Sequence, residues 1–399
     1  MIDWFVLLTP LLLLPVVMLF VFVGCAQVKP VALFFPFGRP GDIPVPGDYF
    51  AEGVTRAAFF RPSDATWHIF KGDLLALQAN PTSIPDPASL VVSFTYGLPG
   101  DIPVPGDYFE DGFPRPAFFR SGGLSDQVPG EWHIGERVPP GQNVTVQDAI
   151  PPIQFPQKSN ILDIPLPPGK YLTSIGENSV CLAVYRAFGI GTAPPGPGEW
   201  NFRPVAKDTP HVITPQISPP PAQSDTPIPG DYEGRGDGSV QAAIFRNLTN
   251  EWIVFDPGDG RIIRQFPVDP RLLRIDPPPG SGGISSFGAI TAVSQPNSNV
   301  TTNTLDSFIG VILLPPGAYF GASSSPNIMV AVCNIENATW FLLDRNGTVL
   351  VTLLSPDLHG SVFIAPGDYH QDGSIKEVLF QVPTGFWSEA TVPHRGLAL

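Results

Sequence analysis

The chain has 399 residues, of which 43% are hydrophobic, and its formal net charge is −14. The acidic balance and the lack of a Lys/Arg run argue against a nucleic-acid partner, because phosphate binding needs basic patches. The 50 Pro and 40 Gly residues argue against long helices and long central strands. The 28 Phe residues predict a packed core, and the length suits one large all-β domain or two ordinary domains.

The first element along the chain is an uncharged run from Trp4 to Gly24. As a helix, with about 1.5 Å of rise per residue, this run would span the core of a bilayer. Three interpretations stay open: an uncleaved anchor, a cleaved secretory signal, and a lipoprotein signal in which Cys25 follows a small residue in a lipobox-like order. The preceding residues include Asp3 and no Lys or Arg, which is atypical of a secretory signal. All three place residues 26–399 on or beyond the membrane.

A repeated word, Pro-Gly-x-Tyr, marks the rest of the chain. It occurs six times, and each copy is followed by an apolar run and then by a tryptophan. The tyrosines are Tyr49, Tyr108, Tyr171, Tyr232, Tyr319 and Tyr369, and the tryptophans are Trp67, Trp132, Trp200, Trp252, Trp340 and Trp387. The first two copies share the nine letters GDIPVPGDY, within residues 40–53 and 99–112. The chain therefore contains a structural repeat.

Each repeat has the pattern of short strands joined by Gly/Pro turns. The second repeat predicts an apolar strand at 91–96, the GDIPVPGDY corner, and two further strands at 117–120 and 132–134, with a fourth strand in less regular residues. Six repeats of four strands predict an all-β, six-bladed β-propeller behind one hydrophobic helix. Seven blades and a linear solenoid are the alternatives. The predicted divisions are 1–25 for the anchor or signal, 26–399 for the propeller, and 31–88, 89–150, 151–212, 213–298, 299–352 and 353–399 for its repeats.

The combination PGDY…AxFR…W is similar to the FG-GAP/VCBS-type repeat, which is related to the blades of the integrin α-subunit head. The similarity covers residues 31–390 and is strong in repeats one and two, fair in four and six, and weak in three and five. It implies a propeller of six to eight blades, a surface-attached or extracellular location, and a role in adhesion, sugar binding or assembly. It also implies calcium in corner loops of the form D-x-D-x-D-G-x-x-D.

Candidate calcium ligands follow the corner in three repeats. They are Asp48 and Glu52, Asp107 and Asp111, and Asp368 and Asp372. The last position of each loop holds a cation, Arg56, Arg115 or Lys376, which would repel calcium and pair with the remaining carboxylates. We therefore expect no cofactor, with calcium as the alternative. The first Asp of each loop is predicted to accept hydrogen bonds from backbone amides, and the ion pairs are predicted to be exposed.

Two further motifs each allow an adhesive and a structural interpretation. The tripeptide Arg235-Gly236-Asp237 is an RGD sequence in the fourth corner loop. It is either an adhesive motif or a chance result of the charged and glycine residues that the repeat places there. The six repeat tryptophans are predicted to form blade cores rather than a stacking platform for sugar.

Arginines and cysteines near the apolar runs are predicted to be structural. Arg61, Arg120, Arg186 and Arg246 end four of these runs. They are expected to donate to backbone carbonyls of neighbouring turns. Cys181 and Cys333 lie within apolar runs, which favours buried free thiols over a disulfide.

Five N-x-[ST] sequons add a possible modification. They begin at Asn143, Asn247, Asn299, Asn337 and Asn346. They are either glycosylation acceptors, where the host glycosylates, or polar loops.

Enzyme signals are nearly absent from the sequence. It holds no HExxH, GxSxG, P-loop, GxGxxG or CxxC motif, and His68 and His133 both follow a repeat tryptophan. We expect a binding or assembly module that is not an enzyme, such as an accessory subunit of a membrane complex with a protein partner. Residues 4–24 would hold it at the cell membrane or envelope, with the propeller on the extracytoplasmic side. A surface lectin or adhesin is the alternative, and a lyase or hydrolase is a third hypothesis.

Overall fold

The structure is a computed structural model of the chain. It describes residues 34–72, 87–122, 129–141, 144–155, 162–187, 198–206, 211–213, 225–235, 238–246, 249–273, 289–290, 311–317, 329–334, 339–354, 362–367, 376–381 and 386–389. The chain divides into two compact units, Met1–Ala32 and Leu33–Leu399. The first unit, with the predicted helix at residues 4–24 and Cys25, lies outside the described residues. Within the described ranges, no helix is long and apolar enough to cross a membrane.

The second unit is all-β, and its described strands form six sheets. The strand β1 (Phe34–Pro36) joins the last of them. The first sheet contains β2 (Ile43–Pro44), β3 (Ala58–Arg61), β4 (Thr66–Phe70) and β5 (Val91–Thr95), with a 3₁₀ helix at Pro87–Leu90. The second contains β6 (Ile102–Pro103), β7 (Ala117–Arg120), β8 (Gly130–Ile134) and β9 (Ile153–Phe155). The third contains β10 (Leu162–Gly169), β11 (Cys181–Ala187), β12 (Glu199–Pro204) and β13 (His211–Ile213), with a 3₁₀ helix at Thr173–Ile175.

The remaining three sheets follow in chain order. The fourth contains β14 (Thr226–Pro227), β15 (Ala242–Arg246), β16 (Glu251–Phe255) and β17 (Ile262–Pro267). The fifth contains β18 (Ala289–Ile290), β19 (Val311–Gly317), β20 (Met329–Asn334), β21 (Thr339–Leu343) and β22 (Val349–Leu354), and β18 pairs parallel with β19. The sixth contains β23 (Val362–Gly367), β24 (Lys376–Gln381) and β25 (Phe386–Glu389), and β1 pairs with β25.

The strands are short because of their composition. The first strands of the first two sheets, β2 and β6, have two residues each and end in proline, which cannot donate to a ladder. The middle strands β3 and β7 bury Ala-Phe-Phe on both faces. The outer strand β5 alternates, with Val92 and Phe94 buried and Ser93 and Thr95 exposed. The first sheet therefore has a buried middle strand and an edge strand with one solvent-exposed face.

Adjoining sheets pack face to face through shared apolar clusters. Phe118 of the second sheet packs in the cluster of Trp67 in the first. The later contacts are Leu182 of the third sheet with the cluster of Trp132, Ile244 of the fourth with that of Trp200, and Val332 of the fifth with that of Trp252. Phe380 of the sixth sheet packs in one cluster with Phe59 of the first. The last sheet thus lies against the first, as in a ring.

The strand β1 closes this ring by pairing the start of the second unit with its end. Phe35 lies opposite Trp387 in the antiparallel register, and β1 is the outer strand of the sixth sheet. Phe37, just after β1, contacts Phe59 of the first sheet with ring centroids 4.8 Å apart. Successive sheets that pack radially and close in this way form a β-propeller. The prediction of an all-β propeller is confirmed.

The structure corrects three details of the predicted blades. Five sheets have the regular four-stranded antiparallel order of a blade, whereas the sheet β18–β22 has five strands. The prediction of six four-stranded blades, with seven as the alternative, is therefore wrong. The described strands form no seventh sheet. The apolar strand Val91–Thr95 pairs with β4 and completes the first sheet, whereas it had been assigned to the second repeat. Strand pairing is set by contacts distant in sequence, which the repeat alone does not show.

The tryptophans and cysteines lie where the sequence predicts. All six repeat tryptophans are fully buried, so the prediction of blade core is confirmed. Three of them use their indole N–H inside the core: Trp67 donates to the Tyr96 carbonyl at 2.9 Å, Trp252 to the Tyr232 hydroxyl at 2.6 Å and Trp387 to the Phe37 carbonyl at 2.6 Å. Cys181 and Cys333 are free and buried, as predicted.

Candidate functional site

The repeated Pro-Gly-x-Tyr word forms a corner between the first and second strands of a sheet. In the four described corners, the tyrosine hydroxyl donates to the carbonyl four residues earlier. The pairs are Tyr49 with Val45 at 2.6 Å, Tyr108 with Val104 at 2.5 Å, Tyr171 with Pro167 at 2.8 Å and Tyr232 with Ile228 at 2.7 Å. Burial raises the pKa of these phenols far above the ordinary value in the first three corners, so they stay neutral donors.

The glycine of the word is required because the next corner packs against it. A Cβ at Gly106 would collide with Pro168, and one at Gly169 would collide with Val240. The third and fourth corners are also joined by backbone hydrogen bonds, from Lys170 N to Gly238 O and from Val240 N to Lys170 O, both at 3.2 Å. We call the surface formed by residues 45–57, 104–116, 167–180, 228–235 and 238–241 the corner face. In this surface, corners that follow one another along the chain are in contact.

The first aspartate of each loop holds the turn together. Asp48 accepts from the backbone N–H groups of Glu52 at 2.9 Å and Gly53 at 2.6 Å. Asp107 accepts from Asp111 N at 3.2 Å and Gly112 N at 2.9 Å. In the fourth corner, Asp231 accepts from Gly234 N at 2.7 Å and Arg235 N at 3.1 Å. These are the turn hydrogen bonds that the sequence predicted.

In the first two loops, the cation at the end of the loop lies against the carboxylate that would bind a metal. Arg115 donates to both carboxylate oxygens of Asp111, at 3.0 and 2.6 Å, and Arg137 donates to the same carboxylate at 2.7 Å. The hydrogen bond from Arg115, reinforced by the one from Arg137, holds the pKa of Asp111 well below its usual range. Arg56 pairs with Glu52 and donates to the Gly72 carbonyl at 2.9 Å.

These loops do not fit a calcium ion. Calcium needs six to eight oxygens, and here a guanidinium lies against the carboxylate that would have to bind it. Within the described ranges, no group of three or more His, Cys, Asp or Glu side chains is placed to hold a metal. Asp368 and Asp372 lie outside the described residues, so calcium at the sixth corner stays a prediction.

One expectation about these ion pairs is wrong. The pairs were expected to be exposed, but Arg115 is only 6% exposed. Its guanidinium also lies over the ring of Phe109, 4.4 Å from the centroid, and that of Arg137 lies over Phe113 at 3.8 Å. A further ion pair, from Lys170 Nζ to Glu110 at 2.6 Å, joins the third corner to the second. The loop charges therefore rigidify the corner face.

The RGD sequence is only partly described. Arg235 is exposed and pairs with Glu233 at 2.6 Å. Gly236 and Asp237 lie outside the described residues. The adhesive interpretation stays a prediction.

The recurrent arginines correct another expectation and were the main feature that sequence reasoning missed. Each of them binds a buried aspartate, a partner that the sequence analysis did not predict. Arg61 binds Asp42 at 2.9 and 2.8 Å, Arg120 binds Asp101 at 2.9 and 2.7 Å, Arg186 binds Asp163 at 2.7 and 3.0 Å, and Arg246 binds Asp225 at 3.4 Å. All four aspartates are at most 4% exposed.

A sequence signal for these pairs exists. Each aspartate begins an Asp-x-Pro triplet at the first strand of its sheet, 19 to 23 residues before the arginine. The fifth and sixth sheets lack the pair, with Val311 opposite Asn334 and Val362 opposite Gln381. The charge pair is thus a property of the first four blades.

The histidines that follow the first two tryptophans make local contacts. His68 Nδ1 lies 2.8 Å from Ser93 Oγ, and its ring stacks on Phe59 at 4.6 Å. Burial, with the nearby Arg61 charge, lowers the pKa of His68 to about 4. His133 stacks on Phe118 at 4.5 Å, and its Nδ1 lies 3.2 Å from Asp148. Each ring thus stacks on the phenylalanine opposite it on the neighbouring strand of its own sheet.

Comparison with known proteins does not assign this chain to a family. No protein-family model matches the sequence, and no curated protein matches it. A solved structure described as BBS1N in complex with ARL6DN, soaked with mercury, is 8% identical with a TM-score of 0.40, over 91% of this chain and 96% of that chain. The same complex soaked with lead is 10% identical with a TM-score of 0.39, over 92% and 99%. Similarity this low transfers no partner, ligand or activity, and the FG-GAP/VCBS resemblance stays a prediction.

Proposed function

We propose that this protein is a binding or assembly module, with the corner face as its contact surface for a protein partner. The observation that supports this proposal is the linkage of the corners: the Glu110–Lys170 ion pair and the backbone bonds of Lys170 hold successive loops in one arrangement. A surface whose loops are ordered before binding loses little conformational entropy when a partner docks. Its exposed charges, such as Glu52, Glu233 and Arg235, would then set the orientation of that partner.

We place the module on the extracytoplasmic side of a cell membrane or envelope, as an accessory subunit anchored through residues 4–24. The support is the uncharged N-terminal run together with the acidic composition. We also propose that the five-stranded sheet is the remaining blade of the ring, because Val332 packs on the fourth sheet as a blade would.

The lectin alternative has little support in the described residues. A stacking platform for sugar needs exposed aromatic rings, and the repeat tryptophans are buried. The large hydrophobic side chains that are exposed in the described ranges are aliphatic, such as Ile175 and Val212. For the enzyme hypothesis, the described residues supply no convergent set of acid, base and nucleophile.

Site-specific photo-crosslinking tests the proposed contact surface. A photoreactive residue is placed at Glu52 or Glu233 on the corner face, and at Thr95 on the outer strand of the first sheet as a matched exposed control. Cells are irradiated, and crosslinked products are purified from the membrane fraction and identified by mass spectrometry. We expect the same partner at both corner positions and none at Thr95. Crosslinking at Thr95 alone, or an equal yield at all three positions, would contradict the proposal.

A further inference from the structure

The chain is enriched in one type of glycosylation sequon. It contains 14 asparagines and 21 threonines, so a random order of its residues would give about one N-x-T triplet. Six N-x-T triplets occur, and no asparagine has serine two positions on. Pro81 excludes the triplet at Asn80 as an acceptor, and the other five are the sequons at Asn143, Asn247, Asn299, Asn337 and Asn346. Asn143, Asn247, Asn299 and Asn337 lie outside the described residues. Such an excess of one acceptor motif indicates that the motif is used.

Asn346 is the sequon asparagine that lies within the described residues. It is exposed, in a turn that is closed by hydrogen bonds. Asp344 Oδ1 accepts from the backbone N–H groups of Asn346 and Thr348, each at 2.8 Å. The backbone closes the turn through Asp344 N to Thr348 O at 2.9 Å, and Gly347 takes a φ of 81°. Asn346 and Thr348 are both exposed. Asp344 thus satisfies two backbone donors of the turn, and both ends of the sequon are accessible to solvent.

The strand that follows this turn needs protection. β22 reads Val-Leu-Val-Thr-Leu-Leu without a charge, and it is the last strand in the order of its sheet. Its first two residues are exposed, Val349 to 36% and Leu350 to 47%. An uncharged, apolar edge strand is a template for pairing with other chains, and proteins usually block such edges with charge, proline or a cover. The sequon lies three residues before this strand.

We propose that Asn346 carries an N-linked oligosaccharide, which covers the exposed start of β22. The donor is a lipid-pyrophosphate-linked oligosaccharide. The amide nitrogen of Asn346 forms a bond to the first sugar carbon, the bond from that carbon to the pyrophosphate oxygen breaks, and the amide loses one proton. The lipid pyrophosphate leaves with the electron pair. This proposal rests on the proposed extracytoplasmic location, because the transferase acts only on exported chains.

The test is translation of the full chain in the presence of microsomes that hold the transferase, followed by electrophoresis. Protection from added protease reports export, independently of sugar. We expect a protected ladder of glycoforms that an endoglycosidase collapses, and Asn346→Gln should remove one step of that ladder. Thr348→Ala should remove the same step, Thr348→Ser should keep it, and Asn178→Gln, at an exposed asparagine outside any sequon, should change nothing.

The outcomes separate this inference from the proposed function. A protected chain whose ladder is unchanged by Asn346→Gln overturns the glycan and leaves the location intact. A chain that the protease digests overturns both. The covering role has its own readout, since Asn346→Gln should lower the soluble yield severalfold and a second change, Leu350→Lys, should restore it by charging the edge. Unchanged solubility of Asn346→Gln would show that the sugar does not cover β22.

Discussion

We expect the buried Arg–Asp pairs to affect the stability of a blade through single residues. Arg186 and Asp163 are 3% and 2% exposed and share two hydrogen bonds. Replacing Arg186 by Met leaves a buried carboxylate without its cation, so we expect a loss of about 3–5 kcal/mol in the free energy of unfolding. Denaturant unfolding measures it.

The matched comparison for that pair uses a double variant and a surface control. Arg186→Met with Asp163→Leu should recover part of the loss, because the Asp163 charge is removed together with its cation. The recovery is incomplete because Glu199, 3.6 Å from Arg186 and 14% exposed, loses the same cation. Arg261→Met should cost little, since the Arg261 side chain is 69% exposed in its ion pair with Asp256. A loss from Arg186→Met no larger than that from Arg261→Met would show that the pair contributes little.

His68 gives the fold a defined pH dependence. Its pKa is lowered from 6.5 to about 4 in the folded chain, so between these values the unfolded chain binds more protons. The stability contribution of the neutral ring is therefore complete above pH 6.5 and is lost as the pH falls towards 4. Between pH 6.5 and 4, we expect the free energy of unfolding to fall further for the wild type than for His68→Gln. The difference between the two proteins above pH 6.5 is the baseline for this comparison. Equal slopes in denaturant titrations at several pH values would contradict the assignment.

At the scale of the element, the corner explains why the repeated word keeps its glycine. Gly106→Ala should destabilise the chain by about 1–3 kcal/mol, because the new Cβ must displace Pro168 in the next corner. Gly141→Ala is the control, since a Cβ there meets nothing within 4 Å and its φ is not in the left-handed region. That substitution should be neutral or slightly stabilising. Thermal unfolding of the two variants decides the matter, and equal melting temperatures would count against contact between the corners.

The sequence predicted the elements better than their partners. Tyr49 and Trp67 could be assigned to corner and core because each recurs at a fixed place in its repeat. The role of Arg61 was missed because its partner, Asp42, lies 19 residues away and pairing depends on the register of β2 and β3. The corner loops could be judged as poor calcium sites from Arg56 and Arg115 alone. What no local pattern shows is burial, such as that of Arg115.

At the scale of the whole molecule, the ring depends on a contact between its two ends. β1 pairs with β25, and Phe37 accepts a hydrogen bond from Trp387 while its ring lies against Phe59. The sequence repeat does not predict this strand, because Phe34–Pro36 precedes the first corner. The strand completes a sheet whose other strands lie in the last 40 or so residues.

Truncation tests this closure directly. A chain that begins at residue 34 keeps β1, whereas one that begins at residue 39 loses β1 and Phe37 and leaves the edge of β25 unpaired. We expect the longer chain to unfold cooperatively as a monomer. The shorter chain should melt at a clearly lower temperature and self-associate through the open edge. Circular dichroism melts and size-exclusion chromatography of the two chains measure both effects. Identical melting temperatures would mean that β1 covers the sixth sheet without holding the ring, and that the face-to-face packing of Phe380 with the first sheet is sufficient to close it.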